Sequence, residues 1–264
     1  MNTHTNTVNN IFVFREAANA DELLALLKLR YEVYRNSRVS GFVEENEFGI
    51  DLDAYDLRAR HFGLFQANDS GGVPVGYLRV VEDRITSSAQ TVLRIARDTI
   101  GKTNKIMANP LNPFPLMDHY PGAKVLHREY RRLETKGKRM VEAGRLALSD
   151  DFRSLRVACH IIESALTIYF IHHRFEHAIW CCYASCSGFY SRLYGLKKHI
   201  TGGYPEFTKF GRKSNCLIGQ PAWLPGKIRG KLEAMADMFG RVGYIPYPFT
   251  VAESTTLESM PAVA

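Results

Sequence analysis

The chain has 264 residues, of which 45% are hydrophobic and 23% charged, and its formal net charge is +7 at pH 7. The length suits one large domain or two small ones with a substantial core, and the composition is ordinary for a soluble globular protein. No apolar run reaches the ~18 residues that a bilayer span needs. The opening Met1–Thr7 is polar and carries no Lys or Arg ahead of an apolar stretch, which argues against a secretory signal and sets a cytoplasmic expectation.

Residues 1–10 are expected to be disordered. Ile11–Phe14 reads as a short strand. Asn19 or Asp21 can cap a helix running to about Tyr34, with Leu23, Leu24, Leu27, Arg30 and Tyr31 near one face. The segment from Arg35 to Tyr55 is polar and acidic and reads as an ordered loop. His61–Ala67 and Val75–Val81 read as two strands around a hairpin turn rich in Asn, Asp and Gly. A long middle section, 83–138, reads as a packed insertion; it holds Asn109–Met117, which mixes Pro with Phe, Leu and Met. Arg139–Ser149 is the next expected strand. Ser149, Asp150 or Asp151 caps an amphipathic helix through about His173, whose apolar positions include Leu155, Ile161, Ile162, Ala165, Leu166 and Tyr169. Ala178–Ala184 is an expected buried strand, and Ser187–Tyr194 a short helix ended by Gly195. Beyond Pro221, Lys227–Phe239 is a further helix. This order predicts an α/β (α+β) fold with a mixed sheet, and one domain over 11–220 with 221–264 as a helical appendage and loose tail.

Two stretches carry candidate chemistry. Asp51-Leu-Asp53-Ala-Tyr55-Asp56 is an acidic cluster with one aromatic, and Val141-Glu142-Ala-Gly-Arg145 sets a Glu and an Arg three apart in an apolar run. Three close carboxylates repel, so cations must sit among them: Arg30, Arg79 and Arg145, or a bound ammonium group. Calcium would need a Gly and a closing Glu at offsets where this chain has neither. On a regular strand Glu142 and Arg145 point to opposite faces and meet only across a bulge; the plain alternative is a structural ion pair. Between Lys124 and Arg139 lie seven basic residues (Lys124, Arg128, Arg131, Arg132, Lys136, Lys138, Arg139) against two acids. Such a segment is either a solvated helical face or a surface for an anionic partner. Five cysteines (159, 181, 182, 186 and 216) form no CxxC pair and read as reduced packing residues. His172-His173 and His177 lack the HExxH order, so no metal is expected.

Taken in order, Arg30 and Tyr34, then Asp51, Asp53, Tyr55 and Asp56, then Arg79, then Glu142 and Arg145, then Phe189-Tyr190-x-Arg192-x-x-Gly195 resemble the GNAT superfamily. The specific branch they resemble is that of acyl-homoserine-lactone synthases and the related long-chain N-acyl amino acid synthases. The resemblance spans roughly residues 11–200. It implies a GNAT-like fold, a central mixed and mostly antiparallel sheet flanked by helices. It also implies transfer of a fatty acyl group to the amino group of an amino acid, an aromatic one such as tyrosine being the family's suggestion. Glu142 and Arg145 would be the catalytic pair, with Arg30, Tyr34, Asp51, Asp53, Asp56 and Arg79 on the substrate side. The donor would be the acyl-phosphopantetheine of acyl carrier protein, with no permanently bound cofactor. Lys124, Arg128, Arg131, Arg132, Lys138, Arg153 and Arg156 would dock that acidic partner.

The chain departs from the lactone synthases in carrying Asp51 where they have Glu, Gly144 where they have Ser, and no Trp before Trp180. Ser149–Ser154 also lacks the Gly-rich turn of CoA-dependent members. These differences favour the amino-acid-acylating branch and a carrier-protein thioester. Lactone synthesis from S-adenosylmethionine is the alternative. A non-catalytic module that binds an acidic protein or an anionic membrane is the rival of another class.

Overall fold

A computed structural model describes residues 11–37, 43–67, 72–100, 110–199, 207–209 and 212–248. The expectations for residues 1–10, for the tip of the first hairpin and for the tail lie outside this set. Strands β1 (Phe12–Glu16), β2 (Ala59–Gln66), β3 (Val73–Val81), β4 (Met140–Leu148), β5 (His177–Tyr183), β6 (Lys197–Lys198), β7 (Phe207–Lys209), β8 (Arg212–Gly219) and β9 (Ile245–Tyr247) form one sheet. Its order is β6-β8-β5-β4-β3-β2-β1-β9, with β7 beside β8. Every pairing is antiparallel except β4 with β5.

Helix α1 (Ala20–Arg35) starts where expected. The Asn19 side chain accepts from the Glu22 amide at 3.0 Å, and two acids sit in the first turn. It packs Leu26 and Leu29 against Phe65, Tyr77 and Ala147 on one face of the sheet. The insertion covers the rest of that face. Its helices α2 (Ala89–Ile95) and α3 (Ala123–Glu134) flank a turn of 3-10 helix at Pro115–Asp118. Leu126, Tyr130 and Leu133 of α3 join Phe114, Leu116 and Met117 in a core with Met140 and Ile179. The Pro-rich segment is therefore packed down, while Leu111 stays fully exposed.

The opposite face is covered by α4 (Leu155–Leu166), α5 (Ala184–Tyr194) and α6 (Gly226–Val242). Helix α4 begins later than expected. Asp150–Phe152 is a separate turn of 3-10 helix, and the cap is Ser154, whose hydroxyl accepts from the Val157 amide. A segment of wider π-type turns, Thr167–His172, continues α4. Helix α5 ends at Gly195, whose φ of +67° needs glycine; a Cβ there would lie 2.0 Å from the Trp223 carbonyl oxygen. The C-terminal helix is not an appendage. Leu232, Met235 and Met238 of α6 are buried in the main core, and β9 pairs with β1, so α6 is part of that core and β9 of the sheet.

Candidate functional site

β4 and β5 are joined side by side only over Met140–Glu142 and His177–Ile179. Beyond those pairs each strand continues, β4 to Leu148 and β5 to Tyr183, without pairing to the other. The sheet is thus split, and a cavity of about 850 Å³ occupies the split. Ala143–Leu146 form one wall and Trp180–Tyr183 the other. One end is polar, lined by Asp53, Tyr55, Arg79, Asp118, Glu142 and Arg145. The other is apolar, lined by Ile162, Ala165, Leu166 and Phe170 of α4 and its extension, with Trp180 and Tyr190. Leu166, Phe170 and Trp180 line the cavity, whereas Ile161 and Ile179 are core.

A bulge decides which residues face the polar end. β3 pairs Arg79 with Gly144 and Tyr77 with Ala147, so Arg145 and Leu146 together stand opposite Leu78. Side-chain parity flips there. Val141 and Leu148 both face the α4 side, although seven residues apart, while Met140 and Ala147 face the other. Arg145 has φ +57°, a left-handed backbone that costs a non-glycine residue about 1–3 kcal/mol and tends to mark functional positions. The bulge brings Arg145 to the same side of the sheet as Glu142, as the spacing required. Tyr34, one turn after Arg30 on α1, donates its hydroxyl to the Leu146 carbonyl at 3.0 Å, and Arg145 lies over its ring. Burial pushes the Tyr34 phenol up to about 12, so it stays a donor and pins the bulge.

The acidic stretch folds on itself first. Asp53 caps the short 3-10 helix Ala54–Arg58, and Asp56 reaches back to the Asp53 amide at 2.8 Å, which closes a capping box. Arginines then neutralise the cluster. Arg30 makes two 3.0 Å bonds to Asp56 and one of 2.9 Å to the Tyr77 hydroxyl, and also donates to the Asp51 carbonyl. Its Nε lies 2.8 Å from Asp51 Oδ2, an ion pair too misaligned to count as a hydrogen bond. Arg79 donates to Asp53 at 2.8 Å and to Asp56 at 3.0 Å. Arg145 lies 3.5 Å from Asp51 and 3.6 Å from Asp53. Burial alone would raise the Asp56 carboxyl, but the Arg30 and Arg79 guanidiniums overcome it and hold it well below the usual range. Burial pushes His61 down to about 4, so the ring beside Tyr77 is neutral.

Of the six residues expected on the substrate side, Tyr34, Asp53 and Arg79 line the cavity. Arg30, Asp51 and Asp56 do not: each is buried behind the wall, where the arginine–carboxylate network holds it. They brace the floor of the site. Glu142 is buried, and its Oε2 accepts from the Leu116 amide at 2.8 Å, a bond supplied by the insertion.

Sequence reasoning passed over three features. Asp118 lines the polar end and accepts from the Tyr55 hydroxyl at 2.7 Å. Its only sequence signal was its place beside the Pro-rich run. Cys181, Cys182 and Cys186, expected to be packing residues, line the cavity instead, with the Cys182 thiol pushed up to about 12 by burial. The basic residues expected to dock a partner lie on two elements. Lys124, Arg128, Arg131 and Arg132 are exposed on α3 and Lys138 just before β4, whereas Arg153 and Arg156 are exposed at the start of α4. Arg153 precedes α4 and pairs with Asp150 at 2.8 Å. The histidines at 172, 173 and 177 go to Phe239, Tyr169 and Gln220 respectively.

A mostly antiparallel sheet, parted at one parallel pair around a cavity with a bulged strand on its wall, is the GNAT-like fold. Residues 115–206, about a third of the chain, match the family model of the N-acyl amino acid synthase FeeM. That segment holds Asp118, Glu142 and Arg145 but not the Arg30–Asp56 network. The structure of FeeM, an N-acyl amino acid synthase from uncultured soil microbes, is similar with a TM-score of 0.51 and 15% identity, covering 81% of this chain and 94% of that one. The structure of BjaI, a CoA-dependent acyl-homoserine lactone synthase with SAM and isopentyl-CoA, is similar with a TM-score of 0.51 and 11% identity, covering 93% and 99%. No curated protein matches. No described helix is long and apolar enough to cross a membrane.

Proposed function

We propose that this chain moves a long-chain fatty acyl group from the phosphopantetheine thioester of acyl carrier protein to the amino group of an amino acid, forming an amide by direct attack. The observation that carries the reading is the split-sheet cavity, with Glu142 at its polar end and an apolar chamber of α4, α5 and β5 side chains at the other. An acyl tail fills the chamber, and the thioester carbonyl then lies beside the β4 bulge. The amine arrives as an ammonium ion and gives one proton to Glu142. Its nitrogen attacks the carbonyl carbon, and a C–N bond forms while the oxygen becomes an oxyanion. Collapse breaks the C–S bond, and the departing thiolate takes the second proton from nitrogen. The products are the amide, the free thiol and one proton released through Glu142. Backbone amides of the bulge, displaced from the β3 ladder, are the natural donors to the oxyanion. Placing amine and carbonyl together supplies several kcal/mol of the acceleration, and the base a further ~10²–10⁴-fold.

The exposed basic residues of α3 and Lys138 suit the acidic surface of a carrier protein. Arg153 and Arg156, on the open side of the split, suit the phosphate of the arm instead. The test combines purified protein, acyl carrier protein or CoA thioesters of several lengths, and each amino acid in turn, tyrosine first, with mass spectrometry of the products. N-acyl amino acids support the reading. Lactones formed with S-adenosylmethionine, or no acyl amide from any pair, refute it. Reversing Lys124, Arg128 and Arg132 to Glu should raise the KM for the acyl carrier protein in a salt-dependent way and leave KM for the amino acid unchanged; an unchanged carrier KM removes α3 as the dock.

A further inference from the structure

The Pro115–Asp118 turn does two things at the polar end of the cavity. Its Leu116 amide fixes Glu142 Oε2 at 2.8 Å. Two residues later it presents Asp118, whose Oδ2 accepts from the Tyr55 hydroxyl at 2.7 Å and whose Oδ1 accepts from Asn112 Nδ2 at 2.9 Å. Asp51, Asp53 and Asp56 each have guanidinium partners within 3.6 Å. Its described partners, Tyr55 and Asn112, are neutral donors, so among the described residues its charge is oriented but not matched by a cation. Burial, then the hydrogen bond and charge of Asp118, raise the Tyr55 phenol, which therefore keeps its proton and holds the carboxylate in place. Glu142 and Asp53 line the same cavity as Tyr55 and Asp118. A fixed anion beside a base is a receptor for an incoming ammonium ion.

Resting on the acyl-transfer reading above, we propose that Asp118 binds the ammonium form of the acceptor and presents its nitrogen to Glu142, which makes the Pro115–Asp118 turn the acceptor-recognition element. The acceptor is thereby a free, protonated amine. Asp118 contacts it without taking the proton, and Tyr55 positions Asp118.

The experiment compares wild type with Asp118→Asn and Asp118→Glu. Asp118→Asn should raise KM for the amino acid roughly 10- to 100-fold, the scale of one charge-assisted hydrogen bond, with KM for the acyl donor unchanged. Asp118→Glu should recover part of the loss. Hydroxylamine, a nucleophile uncharged at neutral pH, should react equally well with wild type and Asp118→Asn. An unchanged amino acid KM in Asp118→Asn, or an equal penalty with hydroxylamine, overturns the inference while leaving acyl transfer standing. Calorimetric binding of the amino acid reads Asp118 without turnover: at least ~10-fold weaker binding to Asp118→Asn supports the role, and equal affinity overturns it. Absence of acyl transfer in the wild type would count against the proposed function, and the calorimetry would still decide the role of Asp118.

Discussion

Replacing Arg30 with Met tests how the floor of the site is held. Arg30 is wholly buried and serves Asp51, Asp56 and Tyr77 at once. Met keeps much of the volume but leaves two buried carboxylates short of a cation. Breaking a buried ion pair from one side costs about 3–5 kcal/mol. The lower part of that range applies, because Arg79 stays 3.0 Å from Asp56 and Arg145 stays 3.5 Å from Asp51. A chain of this size loses about 2–4 °C of Tm per kcal/mol, so Tm should fall by roughly 6–15 °C. Adding Asp56→Asn removes one stranded charge, and the double variant should be more stable than the two single losses predict, by about 0.5–3 kcal/mol. Urea unfolding followed by circular dichroism reads all four proteins. A loss under about 1 kcal/mol for Arg30→Met, or strictly additive losses in the double variant, would refute the claim that the network is a coupled, buried unit.

Glu142→Gln keeps the shape that accepts from Leu116 but cannot take a proton; turnover should fall at least ~10-fold with an unchanged unfolding midpoint, and wild-type rates would remove Glu142 as the base. Stability should also depend on pH through His61, whose folded value of about 4 lies below the ordinary 6.5. The unfolded chain then takes up a proton before the folded one does. The stability from keeping His61 neutral is full above pH 6.5 and is lost as pH falls from 6.5 towards 4, by about 3 kcal/mol at most at 1.36 kcal/mol per unit. Urea midpoints measured across that window should fall more steeply in the wild type than in His61→Gln, and parallel slopes would contradict the assignment. His160, which burial pushes down to about 3, adds in the same direction to both.

Where local chemistry agreed with tertiary context, the sequence was easy to read. Asn19 and the spacing of Leu23, Leu27 and Arg30 marked α1, and Gly195 marked the end of α5 because no other residue suits that backbone. Strand β8 went unseen because Ser214 and Asn215 are buried polar residues, and Asn215 donates to the Ser187 hydroxyl at 2.9 Å. A strand with polar residues facing inward loses the alternation by which strands are recognised. β9 is three residues long and exists only because the edge of β1 accepts it.

The residue types of the candidate site, three carboxylates to three arginines and a lone Glu in an apolar strand, were set in the sequence, because charge balance depends only on which groups are present. Which of them reach the cavity was decided by the fold. Arg30, Asp51 and Asp56 are sealed behind its wall, while a one-residue offset against β3 carries Arg145 to the side of Glu142. Asp118 enters because Phe114, Leu116 and Met117 pack into the core beside it and carry the turn to the cavity's edge. Such placements depend on strand register and on packing between distant segments, which local patterns do not encode.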